Sequence, residues 1–318
     1  MRYVVIGCVW FLALNYARVL ASDQFDSALV DFAPINNVLY LDIAYAGSRL
    51  VCVGERGLII YSDDAGGRWQ RAYVPSQVLL TAVFFLDANT GWAVGHDGMI
   101  LRTDDAARTW YVQNMAPDED SPLFDIWFQD QNHGIAVGAY GSYKVTDDGG
   151  KTWKSHTILN NDYHLYAIEG IAATNWFIAG EAGTLLRSED KGQSWYPVET
   201  ALRSSFFGIL SLSQDTILLY GLRGNVLRST DNGFSWRPVD SSVRATLQGG
   251  ARIDSRKAVL AGLGGALVVT GDGGNTFYEP DVQAGSISQV IADPQDWLIV
   301  VGVFGIRRIP LADVMKKQ

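Results

Sequence analysis

Cysteine is almost absent from this chain. Only Cys8 and Cys52 occur in 318 residues, and the first falls in the apolar run near the N-terminus. A lone cysteine can form no internal disulfide, so the fold must stand on packing, with Cys52 as a buried thiol between Val51 and Val53. Histidine is also sparse. His96, His133, His156 and His164 are dispersed, with neither the His-Glu-x-x-His nor the Cys-x-x-Cys spacing that holds zinc. The sequence has no Gly-x-Ser-x-Gly elbow and no phosphate-cradling glycine loop, so the usual signs of a hydrolase or nucleotide enzyme are missing. Basic residues are in deficit. The net charge is −9, a poor match for nucleic acid, whose phosphates demand a basic footprint. The N-terminal apolar run, Tyr3 to Leu14, has 12 residues, too few to span a bilayer. Preceded by Met1-Arg2 and followed by Val19-Leu20-Ala21, it reads as a signal peptide over residues 1–21, cleaved after Ala21. Arg18 beside that point leaves a retained anchor as the alternative. Cleavage removes Arg2 and Arg18, leaving 23 of the 25 basic residues against 34 acidic ones, a mature net charge of −11. A periplasmic protein is the expectation.

What the sequence has in quantity is glycine and aromatics. Thirty-three Gly, ten Trp and fourteen Tyr stand against nine Pro, suited to many short strands joined by tight turns. A Gly-x-x-Gly element recurs at Gly54/Gly57, Gly95/Gly98, Gly138/Gly141, Gly180/Gly183, Gly221/Gly224, Gly262/Gly265 and Gly302/Gly305, at separations of 41, 43, 42, 41, 41 and 40 residues. Each of the first six copies is followed by an Asp turn of the form Ser/Thr-x-Asp-x-Gly-x-x-Trp, as in Thr146-Asp147-Asp148-Gly149-Gly150-Lys151-Thr152-Trp153. Ala107 replaces the Gly in the second copy and Phe277 the Trp in the sixth. The seventh copy lacks the turn and runs into Ile309-Pro310.

One unit reads as four strands. In the second copy these are Ala82 to Leu86, Gly91 to Val94, Met99 to Thr103 and Trp110 to Gln113. The Asp accepts hydrogen bonds within its own turn, and the Trp covers it. Four-stranded units at this period are propeller blades, whose radial closure protects sheet edges. The expected fold is therefore an all-β, seven-bladed β-propeller over residues 22–318. Its seventh unit is one strand short, and Phe25 to Phe32 is the natural strand to close it.

The Asp turn resembles the Asp-box of the bacterial neuraminidase repeat superfamily. Together with stretches such as Gly91-Trp92-Ala93-Val94-Gly95-His96-Asp97-Gly98-Met99-Ile100-Leu101-Arg102-Thr103, it is similar to the photosystem II stability and assembly factor family and its non-photosynthetic bacterial relatives. That resemblance implies a non-enzymatic scaffold that binds membrane-protein subunits, through an arginine-rich patch. The arginine of the Leu-Arg-Ser/Thr stretch is present as Arg102, Arg187 and Arg228, while Tyr61, Val145, Val269 and Ile309 take its place elsewhere. It further implies association with an exporter of the resistance-nodulation-division type. No cofactor, metal or nucleic acid is expected, and the chain is expected to be a monomer on its own.

A sialidase-like or glycan-binding propeller is the alternative. Arg308-Ile309-Pro310 is the only Arg-Ile-Pro, yet it follows the last Asp turn, whereas in sialidases the motif precedes the first. The Gly-x-x-Gly loops vary within a constant framework, and variable loops on a rigid ring are where recognition usually resides. All seven should emerge on one face. The candidate partner-binding residues are Arg56, His96, Asp97, Tyr140, Glu181, Arg223 and Phe304 from those loops, joined by Arg102, Arg187 and Arg228. No catalytic residue is assigned.

Overall fold

A computed structural model describes residues 37–114 and 121–316. The leader 1–21 and the closing strand expected over Phe25 to Phe32 lie outside the described residues. Seven antiparallel sheets follow one another along the chain, and the structure is a seven-bladed β-propeller. The first strands of successive blades are Tyr40–Ala46, Leu80–Phe85, Leu123–Phe128, Leu165–Gly170, Phe206–Ser211, Leu247–Arg252 and Ile287–Asp293. Each packs on the next, and the seventh packs on the first, so the ring is closed among the described residues.

Blades 1 to 5 have four strands. In blade 2 these are Leu80–Phe85, Gly91–Gly95, Ile100–Thr103 and Tyr111–Asn114, within two residues of the sequence expectation. The sixth blade has three strands, and its fourth is reduced to a bridge between Val269 and Tyr278. Pro280 follows two residues on, and with no N–H to give it cannot extend the ladder. The seventh blade has three strands among the described residues.

Second strands are buried almost throughout, as in Gly91–Gly95 and Ile217–Gly221, because each lies mid-sheet with a blade on either side. The core therefore sits between blades. Trp92 of blade 2 stacks on Phe128 of blade 3, with ring centroids 3.5 Å apart and 10° between planes. Cys52 is a buried free thiol on the second strand of blade 1. Burial pushes its pKa up, which makes it inert as a nucleophile.

The Asp turns join third strands to fourth strands. In blade 3, Asp148 Oδ1 accepts from the Thr152 N–H at 2.8 Å and from the Thr146 hydroxyl at 2.9 Å, and Oδ2 accepts from the Thr152 hydroxyl at 2.6 Å. The Thr146 hydroxyl oxygen accepts in turn from the Gly150 N–H at 2.8 Å. Bonds from the Thr152 side chain and backbone hold the Asp148 carboxyl down at about 2. Asp148→Ala should therefore cost about 1–3 kcal/mol, since partners lose their acceptor together. The contribution of the carboxylate should be present above pH 3.8 and vanish as pH falls through about 2; denaturant melts from pH 7 down to pH 2 check both.

Candidate partner-binding face

Each Gly-x-x-Gly element is a tight turn between second and third strands, so all seven emerge at one end of the ring. In blade 3 the Ala139 N–H donates to the Pro122 carbonyl at 2.8 Å and the Ser142 N–H to the Ala139 carbonyl at 2.9 Å. The turn is thus pinned to the start of the innermost strand. A side chain on the first glycine, Gly138, would run into the Pro122 carbonyl, which explains the glycine there. In the turns of blades 1 to 6 the two residues after the first inserted one are left-handed. Arg56, Asp97, Tyr140, Ala182 and Arg223 have φ between 54° and 59°, and each precedes a left-handed glycine. A non-glycine in that conformation costs about 1–2 kcal/mol, so five turns hold a side chain where glycine would be easier. All five of these residues are exposed.

The same end carries apolar surface. Tyr140 is 66% exposed, Val303 56%, Leu263 44% and Leu222 36%. The Tyr140 backbone N–H donates to His164 Nδ1 at 3.0 Å, and its ring stands edge-on to His164 at 5.1 Å. His164 continues into Tyr166 and Phe124, and Tyr166 meets Phe207 at 4.7 Å. These half-buried rings form a stripe from the blade 3 loop to the channel mouth. Glu181 accepts from the His164 N–H at 3.2 Å, and Arg307 lies over the Phe304 ring at 4.6 Å. Phe124, His164, Tyr166 and Phe207 were not among the sequence candidates. Aligning the second residue of each innermost strand, Leu41, Thr81, Phe124, Tyr166, Phe207, Gln248 and Ser288, would have shown the three consecutive aromatics.

Below the stripe, the channel of about 410 Å³ is lined with carboxyl groups. Asp42 accepts the Ile43 and Val83 N–H groups, both at 2.8 Å, and Asp125 accepts those of Ile126 and Ile168, again at 2.8 Å. Gln289 accepts from the Gly250 and Val290 N–H groups in the same way. Each ties its own blade to a neighbour. Protein surrounds these groups, although channel solvent still touches them. Burial pushes Asp42 up to about 6 and Glu169 up to about 7, and lifts Asp125 well above the usual carboxyl range; N–H bonds oppose the shift at the two aspartates and Arg252 opposes it at Glu169.

The ten candidates divide between two ends of the ring. Arg56, His96, Asp97, Tyr140, Glu181, Arg223 and Phe304 belong to the Gly-x-x-Gly end. Arg102, Arg187 and Arg228 lie near the opposite ends of their third strands, beside the Asp turns. Arg102 pairs with Asp104 at 2.7 Å and donates to the Gly149 carbonyl of the next blade at 2.8 Å. Arg187 is 7% exposed and bonds Asn175 at 2.7 Å and Glu189 at 3.0 Å. Arg228 donates to the Gly273 carbonyl of the next blade at 2.6 Å. These three bridge the framework and do not meet the seven loop residues. Among the described residues no cluster of three or more His, Cys, Asp or Glu is arranged to hold a metal, and no helix is long and apolar enough to cross a membrane.

Residues 103–259 match the family model described as photosynthesis system II assembly factor YCF48. Among solved structures, YCF48 from Cyanidioschyzon merolae aligns with a TM-score of 0.72 at 19% identity, over 85% of this chain and 95% of that one. A structure of YCF48 bound to D1 peptide aligns with a TM-score of 0.71 at 19% identity, over 85% and 92%. The GH74 xyloglucanase from Xanthomonas campestris reaches a TM-score of 0.71 at 13% identity, but over 88% of this chain and only 53% of that enzyme. No curated protein matches the chain. At these identities the solved structures share the fold, while the family match supports the resemblance read from the repeats.

Proposed function

We propose, from the premise that this chain is a photosystem II assembly factor-like β-propeller, that it is a non-enzymatic scaffold or assembly factor for a membrane-protein complex. It acts as a monomer in the periplasm, released from its leader. An exporter of the resistance-nodulation-division type is the complex that the family resemblance suggests. The carrying observation is the Gly-x-x-Gly end, where exposed Tyr140, Leu222, Leu263 and Val303 stand around an aromatic stripe. Apolar surface on a rigid ring marks a protein contact, and the five left-handed non-glycine residues are backbone strain of the kind retained at functional sites. That YCF48 has been seen bound to a D1 peptide supports a polypeptide as the occupant.

The test is affinity capture from crosslinked cells with the triple variant Tyr140→Ala, Leu263→Ser and Val303→Ser. These side chains are exposed, so each change should alter stability by no more than about 0.5 kcal/mol. Capture of an identified membrane-protein complex should fall about tenfold or more. An unchanged partner list from the folded variant overturns the face assignment, and glycosidase turnover by the purified wild type overturns the scaffold reading.

A further inference from the structure

At the Asp-turn end, neighbouring blades are bridged by a recurring arrangement. In its full form, made at two boundaries, an arginine pairs with the second residue of its own Asp turn and donates to the carbonyl of the fourth residue in the next blade's turn, and two further boundaries keep part of it. Between blades 1 and 2, Arg49 pairs with Asp63 through two bonds of 2.7 Å and donates to the Ala106 carbonyl at 2.6 Å. Between blades 2 and 3, Arg102 does the same with Asp104 and the Gly149 carbonyl. Between blades 4 and 5, Arg187 takes Glu189, and Asn175, which it orients, donates to the Asn232 carbonyl. Between blades 5 and 6, Arg228 reaches the Gly273 carbonyl. Aromatic rings lie against the guanidinium, with Tyr61 4.2 Å from Arg49, Trp92 5.3 Å from Arg102 and Phe234 3.7 Å from Arg187.

The boundary between blades 3 and 4 breaks the series. Val145 stands at the arginine position, paired with Ile135 across the sheet as Arg102 is paired with Trp92. Both acceptors remain. Asp147 is the second residue of the blade 3 turn, and Lys191 is the fourth of the blade 4 turn, with no described side chain donating to its carbonyl. Asp147 meets Lys154 at 3.3 Å, with both side chains about two-thirds exposed, a contact worth little in water. A cleft of about 760 Å³ opens here, with Val145, Asp147, Trp127, Trp176 and Trp195 on its walls. Trp176 is 2% exposed, and its indole N–H, a donor that a guanidinium cannot satisfy, serves as a reporter of the cleft and not as a contact for its occupant.

We infer that this cleft receives an arginine side chain from a partner protein. The incoming guanidinium pairs with Asp147, donates to the Lys191 carbonyl and lies against the tryptophans. It completes from outside the bridge that Arg49 and Arg102 make from within. Arginine fits because its flat, weakly hydrated fork bonds two acceptors while stacking on aromatic faces, whereas lysine is a compact, strongly hydrated point charge. The cleft lies at the end of the ring opposite the apolar loops, so its occupancy is independent of the face proposed above.

The full chain is titrated with acetyl-Gly-Arg-Gly-amide, acetyl-Gly-Lys-Gly-amide or a xyloglucan oligosaccharide, reading the Trp176 indole N–H resonance. The arginine peptide should give a saturable shift, and the lysine peptide should bind about tenfold more weakly. Val145→Arg should fill the cleft from within, abolish the response and leave the melting temperature unchanged or raised. Asp147→Asn, at an exposed position that is safe for folding, should weaken the arginine peptide by about fivefold, and it decides the matter if Val145→Arg fails to fold. No saturable shift, equal arginine and lysine affinities, an undiminished response in Asp147→Asn, or saturation by the oligosaccharide instead would overturn the inference. Loss of partner capture by the loop variant leaves these titrations unaffected.

Discussion

Replacing Arg187 with alanine should destabilise the propeller by about 3–4 kcal/mol, a drop of about 5–7 °C in Tm for a chain of this size. The guanidinium lies 3.7 Å from the Phe234 ring and 5.9 Å from that of Phe177, the first from blade 5 and the second from its own blade. Truncation opens a gap between blades and removes the aliphatic stem that covers the aromatics. It also leaves the carbonyl oxygen of Asn175, a residue 4% exposed, without the Arg187 Nε donor it now holds at 2.7 Å. An unpaired buried acceptor alone costs about 1–3 kcal/mol. Arg187→Lys should recover only part of the loss, because an ammonium cannot bond Asn175 and Glu189 in one plane while stacked on a ring. Arg223→Ala sets the contrast. Arg223 is exposed on a Gly-x-x-Gly turn, and its removal should change stability by no more than about 0.5 kcal/mol. Thermal melts by circular dichroism compare the three. Equal Tm values for Arg187→Ala and wild type would remove the bridging role assigned to these arginines.

Arg187 and Arg223 also mark the limit of what could be read from the sequence. The blade count, the strand order and the Asp turns follow from local spacing, because a turn such as Thr146 to Trp153 is satisfied almost wholly within itself. The Gly-x-x-Gly loops are legible for the same reason. The partners of Arg102 and Arg228 are carbonyls 47 and 45 residues further on, and only stacking of blades brings them near. Asp42 is harder still. Leu-Asp-Ile in a strand looks like an outward-facing carboxylate, but a bulge between Tyr40 and Asp42 shifts the register, and the side chain turns to the Val83 N–H in the channel. The absent arginine at Val145 was visible in the sequence as a departure from the repeat. Its consequence, a cleft walled by tryptophans, required the neighbouring blade.

The channel carboxyls lead to the second large effect, a Tm that rises as pH is lowered from 8 to 5. Glu169 is pushed up from 4.5 to about 7 and Asp42 from 3.8 to about 6. A carboxyl whose folded pKa exceeds its unfolded value binds its proton more tightly in the native state. Its stabilisation is complete below the unfolded pKa and is lost as pH rises through the folded one. The window therefore runs from about pH 4 to about pH 7, opposite in sign to the turn of Asp148, whose support fails only toward pH 2. Since channel solvent reaches Glu169, its share is discounted to about 1–2 kcal/mol, or about 2–3 °C in Tm. Glu169→Gln removes the ionisation while keeping the shape, so the variant should melt higher than wild type at pH 8 and match it more closely at pH 5. A uniform shift at every pH would instead assign the change to packing, and a wild-type Tm that climbs from pH 5 to pH 8 would contradict burial as the dominant influence on these groups. The remaining slope in Glu169→Gln then belongs to Asp42 and Asp125, and Asp42→Asn separates it from charge repulsion across an acidic surface. An asparagine cannot accept both the Ile43 and the Val83 N–H groups, so that variant should flatten the slope while lowering Tm at pH 5, where Asp42 is largely protonated and the lost N–H bond is the dominant change.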